Sequence, residues 1–372
     1  MTRKVPTVYD VAALAGVSIA TVSRVFRRPD QVTQATKDVV QTAVRDLGYV
    51  PSASARGLAA RRAGAIGLCF PDFDGIDELG PVTFTTGPVP VVPDPAGDFE
   101  PTGDLYISEV MRGTEIEAWR HGMAVTIAVA RGTRGSEIFD NLAGRVDGIV
   151  TLSRTVPDDQ LAHIARRIPV VVIAGPRTDD EYDHVSTDNA AGMRAMTEHV
   201  ITAHGITDLA FIAGPSDSPD AKDRFDGHRE ALRAAGLRVP RGPRMRGDFT
   251  RSGGRAIGRA LLAEGDLPRA LICANDQTAL GVLDALSQAG VRVPQDVAIT
   301  GFDGIDGTQL SSPRVTTVHQ PMLELGRAAV DTLLRRLSDP QQAPESRTLP
   351  VEVLLRESCG CLPVVSNETD FS

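Results

Sequence analysis

Apolar residues near the N-terminus fall at helical spacing: Val8, Val11, Ala12 and Ala15 share a face until Gly16 breaks the run. This predicts a short helix ending at Gly16. After a three-residue turn, Ser18 is placed to cap a second helix whose Val22 and Val25 face inward, leaving Thr21, Ser23 and Arg24 elsewhere. A third helix is predicted from near Thr33, with Val39, Val40, Ala43, Val44 and Leu47 apolar and Gly48 as its stop. Two helices joined by so short a turn form a helix-turn-helix unit, and the third closes a small core.

Beyond Ala63 the period changes. Short β-branched runs at 65–70, 123–130, 148–152, 170–174, 209–213, 270–274 and 297–302 alternate with helical patterns near 106–120, 158–167, 189–203, 220–235, 252–263, 277–289 and 322–337. Such alternation predicts parallel sheets wrapped by helices, and 372 residues leave room for more than one. Residues 72–104 break the pattern with six prolines and five glycines. A loop of that length is expected to be a lid or binding loop, here partly covering a ligand site.

Charge changes the picture more than composition does. The whole chain is −9, yet residues 1–62 hold ten Lys/Arg against four acids, leaving 29 bases and 44 acids for the rest. A basic tip of +6 on an acidic body suggests that the tip meets a polyanion. A hydrophobic content of 42% fits a globular chain, and no apolar run approaches the roughly 20 residues of a membrane span. Without a signal-like N-terminus, and with only Cys69, Cys273, Cys359 and Cys361, the chain is expected in the reducing cytoplasm, associated with the nucleoid.

In a helix-turn-helix unit the second helix enters the major groove, its first residues at base edges. Ile19 and Ala20 lie foremost and would read thymine methyls, while Arg24 can take guanine O6 and N7. Thr7, Tyr9, Ser18, Thr21 and Thr33 are candidates for phosphate contact, with Ser23 beside them on the same helix. The competing reading of each is a local cap or a solvated surface residue.

The stretch TVYDVAALAGVSIATVSRVF, followed by LGYVPSASARGLA, resembles the headpiece and hinge of the lactose-repressor (LacI/GalR) family of bacterial transcription factors. The resemblance implies a headpiece over 1–50, a hinge over 51–62 that becomes helical on operator DNA, and a ligand-binding and dimerisation body over 63–372. It implies that Leu58 wedges into the minor groove of a pseudopalindromic operator bound by a homodimer. The body would be two doubly wound α/β lobes of the periplasmic-binding-protein type around a small-molecule cleft. The first lobe would hold about 63–187 and 319–345, the second about 188–318 and 346–358.

Open parallel sheets bind ligands at the carboxyl ends of their strands. Asp188, Ser218, Asn275 and Asp303 follow predicted strands and are candidates on that ground. The resemblance adds Arg224 and Phe249 as ligand contacts, and Tyr106 where the family often places an aromatic. Asp188 can instead be a helix cap, Phe249 core, and Asp276 the N-cap of the helix beginning at Gln277. A sugar is the first expectation for the ligand and a nucleoside or purine the second.

Two other classes share features with the sequence. A solute-binding protein would share the body and lack the headpiece. An enzyme has little support, because no GxxxxGK[ST], GxSxG or HExxH occurs. Neither cofactor nor metal is expected: His199 and His204 are five apart rather than on one helical face, and Cys359 and Cys361 form only a short CGC segment.

Overall fold

The computed structural model describes residues 6–49, 62–72, 84, 87–89, 91, 105–175 and 180–362. Leu58, most of the expected hinge and most of the 72–104 segment lie outside the described residues. The chain divides into two compact units, Met1–Gly64 and Ala65–Ser372.

In the first unit, α1 (Val8–Ala15), α2 (Ile19–Arg27) and α3 (Gln34–Leu47) are each started by a hydroxyl cap, Thr7, Ser18 and Thr33 in turn. Thr7 and Asp10 form a reciprocal capping box, a device that contributes about 1 kcal/mol. Gly16 and Gly48 end α1 and α3 in the left-handed region, at φ 64° and 62°, where a Cβ would be strained. Val11, Ala12, Ala15, Val22, Val25, Val40 and Ala43 make the core between them.

The second unit holds two six-stranded sheets. The first contains β1 (Ala65–Pro71), β2 (Ala124–Ala130), β3 (Gly148–Leu152), β4 (Val170–Ile173), β5 (Asp183–Thr187) and β11 (Ser346–Leu349), in the order β11-β5-β4-β3-β1-β2, all parallel. The second contains β6 (Leu209–Ala213), β7 (Met245–Arg246), β8 (Ala270–Cys273), β9 (Ala298–Asp303), β10 (Thr316–His319) and β12 (Glu352–Leu354), in the order β12-β10-β9-β8-β6-β7. Only β12 runs antiparallel, against β10. Central strands such as β3 and β4 are buried on both faces, which is why they read as continuous apolar runs.

The helices of this unit are α4 (Leu105–Arg120), α5 (Gly135–Ala143), α6 (Asp158–Ala165), α7 (Asn189–His204), α8 (Pro219–Ala234), α9 (Arg251–Glu264), α10 (Asp276–Gln288), α11 (Asp306–Leu310) and α12 (Met322–Ser338). None is long and apolar enough to cross a membrane among the described residues. Glycines let two pairs approach closely: a Cβ at Gly113 on α4 would meet Leu323 O at 1.9 Å, and one at Gly281 on α10 would meet Arg251 O at 2.1 Å.

The chain passes between the sheets three times, after Thr187, after His319 and after Leu349. The expected division at 346 therefore fell too early. Strand β11 pairs with β5 in the first sheet, and the crossing lies at Pro350 and Val351, because the hydrophobic pattern of a four-residue edge strand does not reveal which sheet it joins. Helix α5 was not anticipated, nor was the short α11.

His228 on α8 is fully buried beside Phe211, at 5.1 Å between ring centroids, with Nδ1 3.1 Å from Thr197 Oγ1. Burial pushes its pKa down to about 4 from an ordinary 6.5. The unfolded chain then binds more protons between those two values, so stability is intact above pH 6.5 and falls as the pH drops toward 4, by roughly 3 kcal/mol in all. Urea unfolding across this window should show that loss in the wild type, and a His228→Gln variant should show a shallower pH dependence.

Candidate functional site

The first candidate surface is the outer face of α2. Val22 and Val25 are buried, while Ile19, Ala20 and Arg24 are exposed and Thr21 and Ser23 are half-buried. Tyr9 is 68% exposed on α1. Ser18 Oγ accepts from Thr21 N at 3.1 Å and lies 2.9 Å from Thr21 Oγ1. Thr33 Oγ1 stands in the same relation to Thr36, at 3.4 Å from its N and 2.9 Å from its Oγ1. Thr7 Oγ1 donates to Asp10 Oδ2 at 2.7 Å. Three of the hydroxyls expected on phosphate, Thr7, Ser18 and Thr33, are thus also helix caps, and both readings of them fit one geometry: exposed helix starts with backbone amides nearby.

The second candidate lies at the carboxyl ends of the two sheets. Arg224, 4% exposed on α8, donates through Nε to Asn189 Oδ1 at 2.7 Å and through Nη1 to Ala274 O at 2.7 Å and Asp303 Oδ1 at 3.3 Å. Its guanidinium carbon sits 3.8 Å from the centroid of Phe302, a cation–π contact. Among the described residues Nη2 has no hydrogen-bond partner. Asp303 Oδ1 also accepts from Gln320 Nε2 at 2.7 Å, and Gln320 Oε1 accepts from Thr187 Oγ1 at 3.1 Å. Asn189 Nδ2 donates to Asp220 Oδ1 at 3.0 Å, which also takes Gly175 N at 3.1 Å. These bonds run from the second sheet to the first, since Thr187 ends β5 and Gly175 follows β4. An Arg154–Asp217 ion pair joins the loops after β3 and β6 as well.

Asp303 holds φ 125°, a conformation that an ordinary residue keeps only when its surroundings impose it. The imposing group is Asp276. Its Oδ2 accepts from Gly304 N at 2.6 Å and Ile305 N at 3.0 Å, and its Oδ1 from the Thr317 hydroxyl at 2.6 Å. A Cβ at Gly301 would lie 2.1 Å from that Oδ1. Burial first, and the neighbouring Asp303 second, push the Asp276 carboxyl pKa upward. Asp276 is therefore not the N-cap it was expected to be. Asn275 fills that role, with Oδ1 accepting from Thr278 N at 3.1 Å, while its Nδ2 donates to Phe249 O at 3.0 Å.

Of the expected ligand residues, Arg224 and Asp303 meet directly, and Asn275 and Phe249 meet beyond the ends of β8 and β7. The Phe249 ring packs over Gly214, where a Cβ would come within 2.2 Å, and Phe249 itself takes φ 70°. Ser218 is buried and caps α8 through Ala221 N; Asp188 is exposed and caps α7 through Ala191 N. Tyr106 is half-buried on the first turn of α4, against the core. Asn189, Asp220, Gln320 and Thr187 were missed; Asn189 stands beside Asp188 and the strand-end rule could have found it, whereas Gln320 follows β10, which the sequence pattern did not give. His199 and His204, expected apart, lie with their Nε2 atoms 3.2 Å from each other and beside Cys359 and Cys361.

Residues 7–52 match the family of bacterial regulatory proteins called the lacI family, and residues 198–359 match a periplasmic binding protein-like domain. The ribose operon repressor of Escherichia coli (strain K12) is 32% identical over 342 residues, which cover 90% of this chain and 94% of that protein. The chain belongs to the LacI family. It is a DNA-binding transcriptional regulator, not an enzyme, and as such a soluble cytoplasmic protein. Two solved structures extend the likeness of this LacI-family chain. A transcriptional regulator CelR–cellobiose complex has a TM-score of 0.68 at 30% identity, covering 95% of this chain and 99% of that one. A lac repressor dimer bound to operator and the anti-inducer ONPF has a TM-score of 0.78 at 26% identity, covering 96% and 99%.

Replacing Asp276 by alanine strands two backbone amides and a buried hydroxyl. Chemical denaturation should show a loss of about 3 kcal/mol, with part of it regained in Asp276→Asn.

Proposed function

We propose that this regulator is a repressor whose hold on a pseudopalindromic operator is set by a sugar in the cleft between its lobes. Residues 1–50 read DNA, 51–62 act as the hinge with Leu58 as its minor-groove wedge, and the regulator is associated with the nucleoid. Ile19, Ala20 and Arg24 meet base edges, and Thr7, Tyr9, Ser18, Thr21, Ser23 and Thr33 line the phosphates. The net charge of +6 over residues 1–62 against an acidic body supports this division.

The observation that carries the ligand reading is Arg224: a buried guanidinium paired on Nε and Nη1 and, among the described residues, without a partner on Nη2, beside Asp303. Such a fork and carboxylate suit the hydroxyls of a sugar ring, and the Phe249 ring suits its apolar face. Ribose in the name of one relative and cellobiose in the structure of another support a carbohydrate. A ligand seated there touches groups bonded to both sheets, so it acts on the spacing of the lobes.

A homodimer is supported by the edge of the first sheet. Strand β2 is an apolar edge strand with Ile127 51% exposed, and Trp119 on the adjoining α4 is 73% exposed. An apolar edge that pairs with no further strand among the described residues calls for a partner, and a two-fold operator calls for a second headpiece.

Arg24→Ala should weaken operator binding by about 1–3 kcal/mol per half-site and relax discrimination at one base pair. Gel-shift titrations against single-base operator variants measure this, and an equal loss on every sequence removes Arg24 from base reading. A thermal-shift screen of mono- and disaccharides on the full chain should find a sugar that raises Tm. Arg224→Lys, which keeps the charge and loses the fork, should abolish that rise. A response to nucleosides alone would overturn the sugar.

A further inference from the structure

Away from the cleft, four side chains set aside in the sequence converge at the far end of α7. His199 and His204 lie on its last turns, and Cys359 and Cys361 flank Gly360 just beyond β12. One ligand atom from each lies within 4.8 Å of the other three. The two Nε2 atoms are 3.2 Å apart. Cys361 Sγ is 3.4 Å from His199 Nε2 and 3.5 Å from His204 Nε2, and Cys359 Sγ is 3.8 Å from His199 Nε2.

Those distances have a common explanation. A tetrahedral zinc ion, with Zn–S of about 2.3 Å and Zn–N of about 2.0–2.1 Å, sets N···N edges at roughly 3.3 Å and S···N edges at roughly 3.6 Å. Four of the six edges of the observed set, at 3.2, 3.4, 3.5 and 3.8 Å, lie close to those values, and the other two are within 4.8 Å. We propose that His199 Nε2, His204 Nε2, Cys359 Sγ and Cys361 Sγ bind one zinc ion, as a closed structural site in the second lobe.

The chemistry of the set favours zinc. Two thiolates with two imidazoles suit a borderline-soft tetrahedral ion and not the hard, oxygen-seeking magnesium or calcium. Four residues separate the histidines, within the spacing zinc sites use, and the objection that five positions exceed one helical face loses force at a helix end. His204 is the last residue of α7, and Gly205 turns away at φ 64°. On the other side Gly360 takes φ 106°, which lets the chain double back and bring both sulfurs to the histidines. The Thr316 hydroxyl is 3.1 Å from Cys359 Sγ and can donate to it as a thiolate.

With four protein ligands the ion has no open position, so the site is structural rather than catalytic. It ties the chain beyond β12 to a helix about 160 residues earlier, cross-linking the second lobe where β12 forms its edge. Cys359 is buried while the other three are half-buried, so the ion enters from the side of His204 and Cys361.

Cobalt(II) reports this geometry directly. The full chain, reduced and stripped with a chelator, should bind one cobalt per chain, giving the visible bands of tetrahedral cobalt and a near-ultraviolet thiolate-to-cobalt band. Equimolar zinc should displace it and raise Tm. Cys361→Ser and His204→Gln should each weaken zinc binding by more than about tenfold, with circular dichroism confirming that they fold. Absence of the thiolate band from the wild type, unchanged affinity in both variants, or a Cys359–Cys361 disulfide persisting in zinc-treated reduced protein would each overturn the site.

Discussion

A buried guanidinium must find acceptors, and the cleft is arranged around that demand. Arg224 takes Asn189, the Ala274 carbonyl and Asp303 as partners, and two of these hand the connection onward. Asp303 passes it through Gln320 to Thr187, and Asn189 passes it through Asp220 to Gly175. Both routes end in the first sheet. The lobes are thus joined by the same bonds that fix the arginine, so under the proposed function a ligand that engages Arg224 Nη2 acts on that joint. Asp276 stands behind the arrangement by holding the Asp303 turn in a backbone conformation it would not otherwise keep.

The headpiece solves a different problem with few residues. Seven buried apolar side chains form its core, so its helices lean on their ends for definition. Thr7, Ser18 and Thr33 supply those ends. The same positions set hydroxyls beside exposed helix starts, the arrangement that favours an anion, so under the proposed function local stability and phosphate contact would draw on one set of groups. At Thr7, Ser18 and Thr33 the reading as a cap and the reading as a phosphate contact are therefore compatible.

Much of this was legible because it is local. Helix starts at Ser18 and Thr33, stops at Gly16 and Gly48, and the strands 148–152 and 209–213 are written in neighbouring residues. What was misread depends on distant ones. Asn275 and Asp276 have equal standing as N-caps by residue type, and only the amides of Gly304 and Ile305, some thirty positions on, draw Asp276 away. Strands β11 and β12 look alike as short segments separated by Pro350 and Val351, yet they enter different sheets. Likewise His199 and Cys361 are 162 positions apart, and no spacing rule joins them before the second lobe has closed. Asn189 was within reach of the strand-end rule, which was applied to its neighbour Asp188 instead, whereas Gln320 follows β10, a strand that the sequence pattern did not give.

The central claim is that cleft occupancy and DNA affinity share one joint, and linkage makes that measurable. The dissociation constant of the active sugar should be determined by calorimetry on the free regulator and on the regulator saturated with operator, and the operator constant with and without the sugar. The two ratios should be equal and differ from one by roughly 5-fold to 150-fold. A sugar affinity indifferent to bound operator, alongside tight binding of both, would contradict the account.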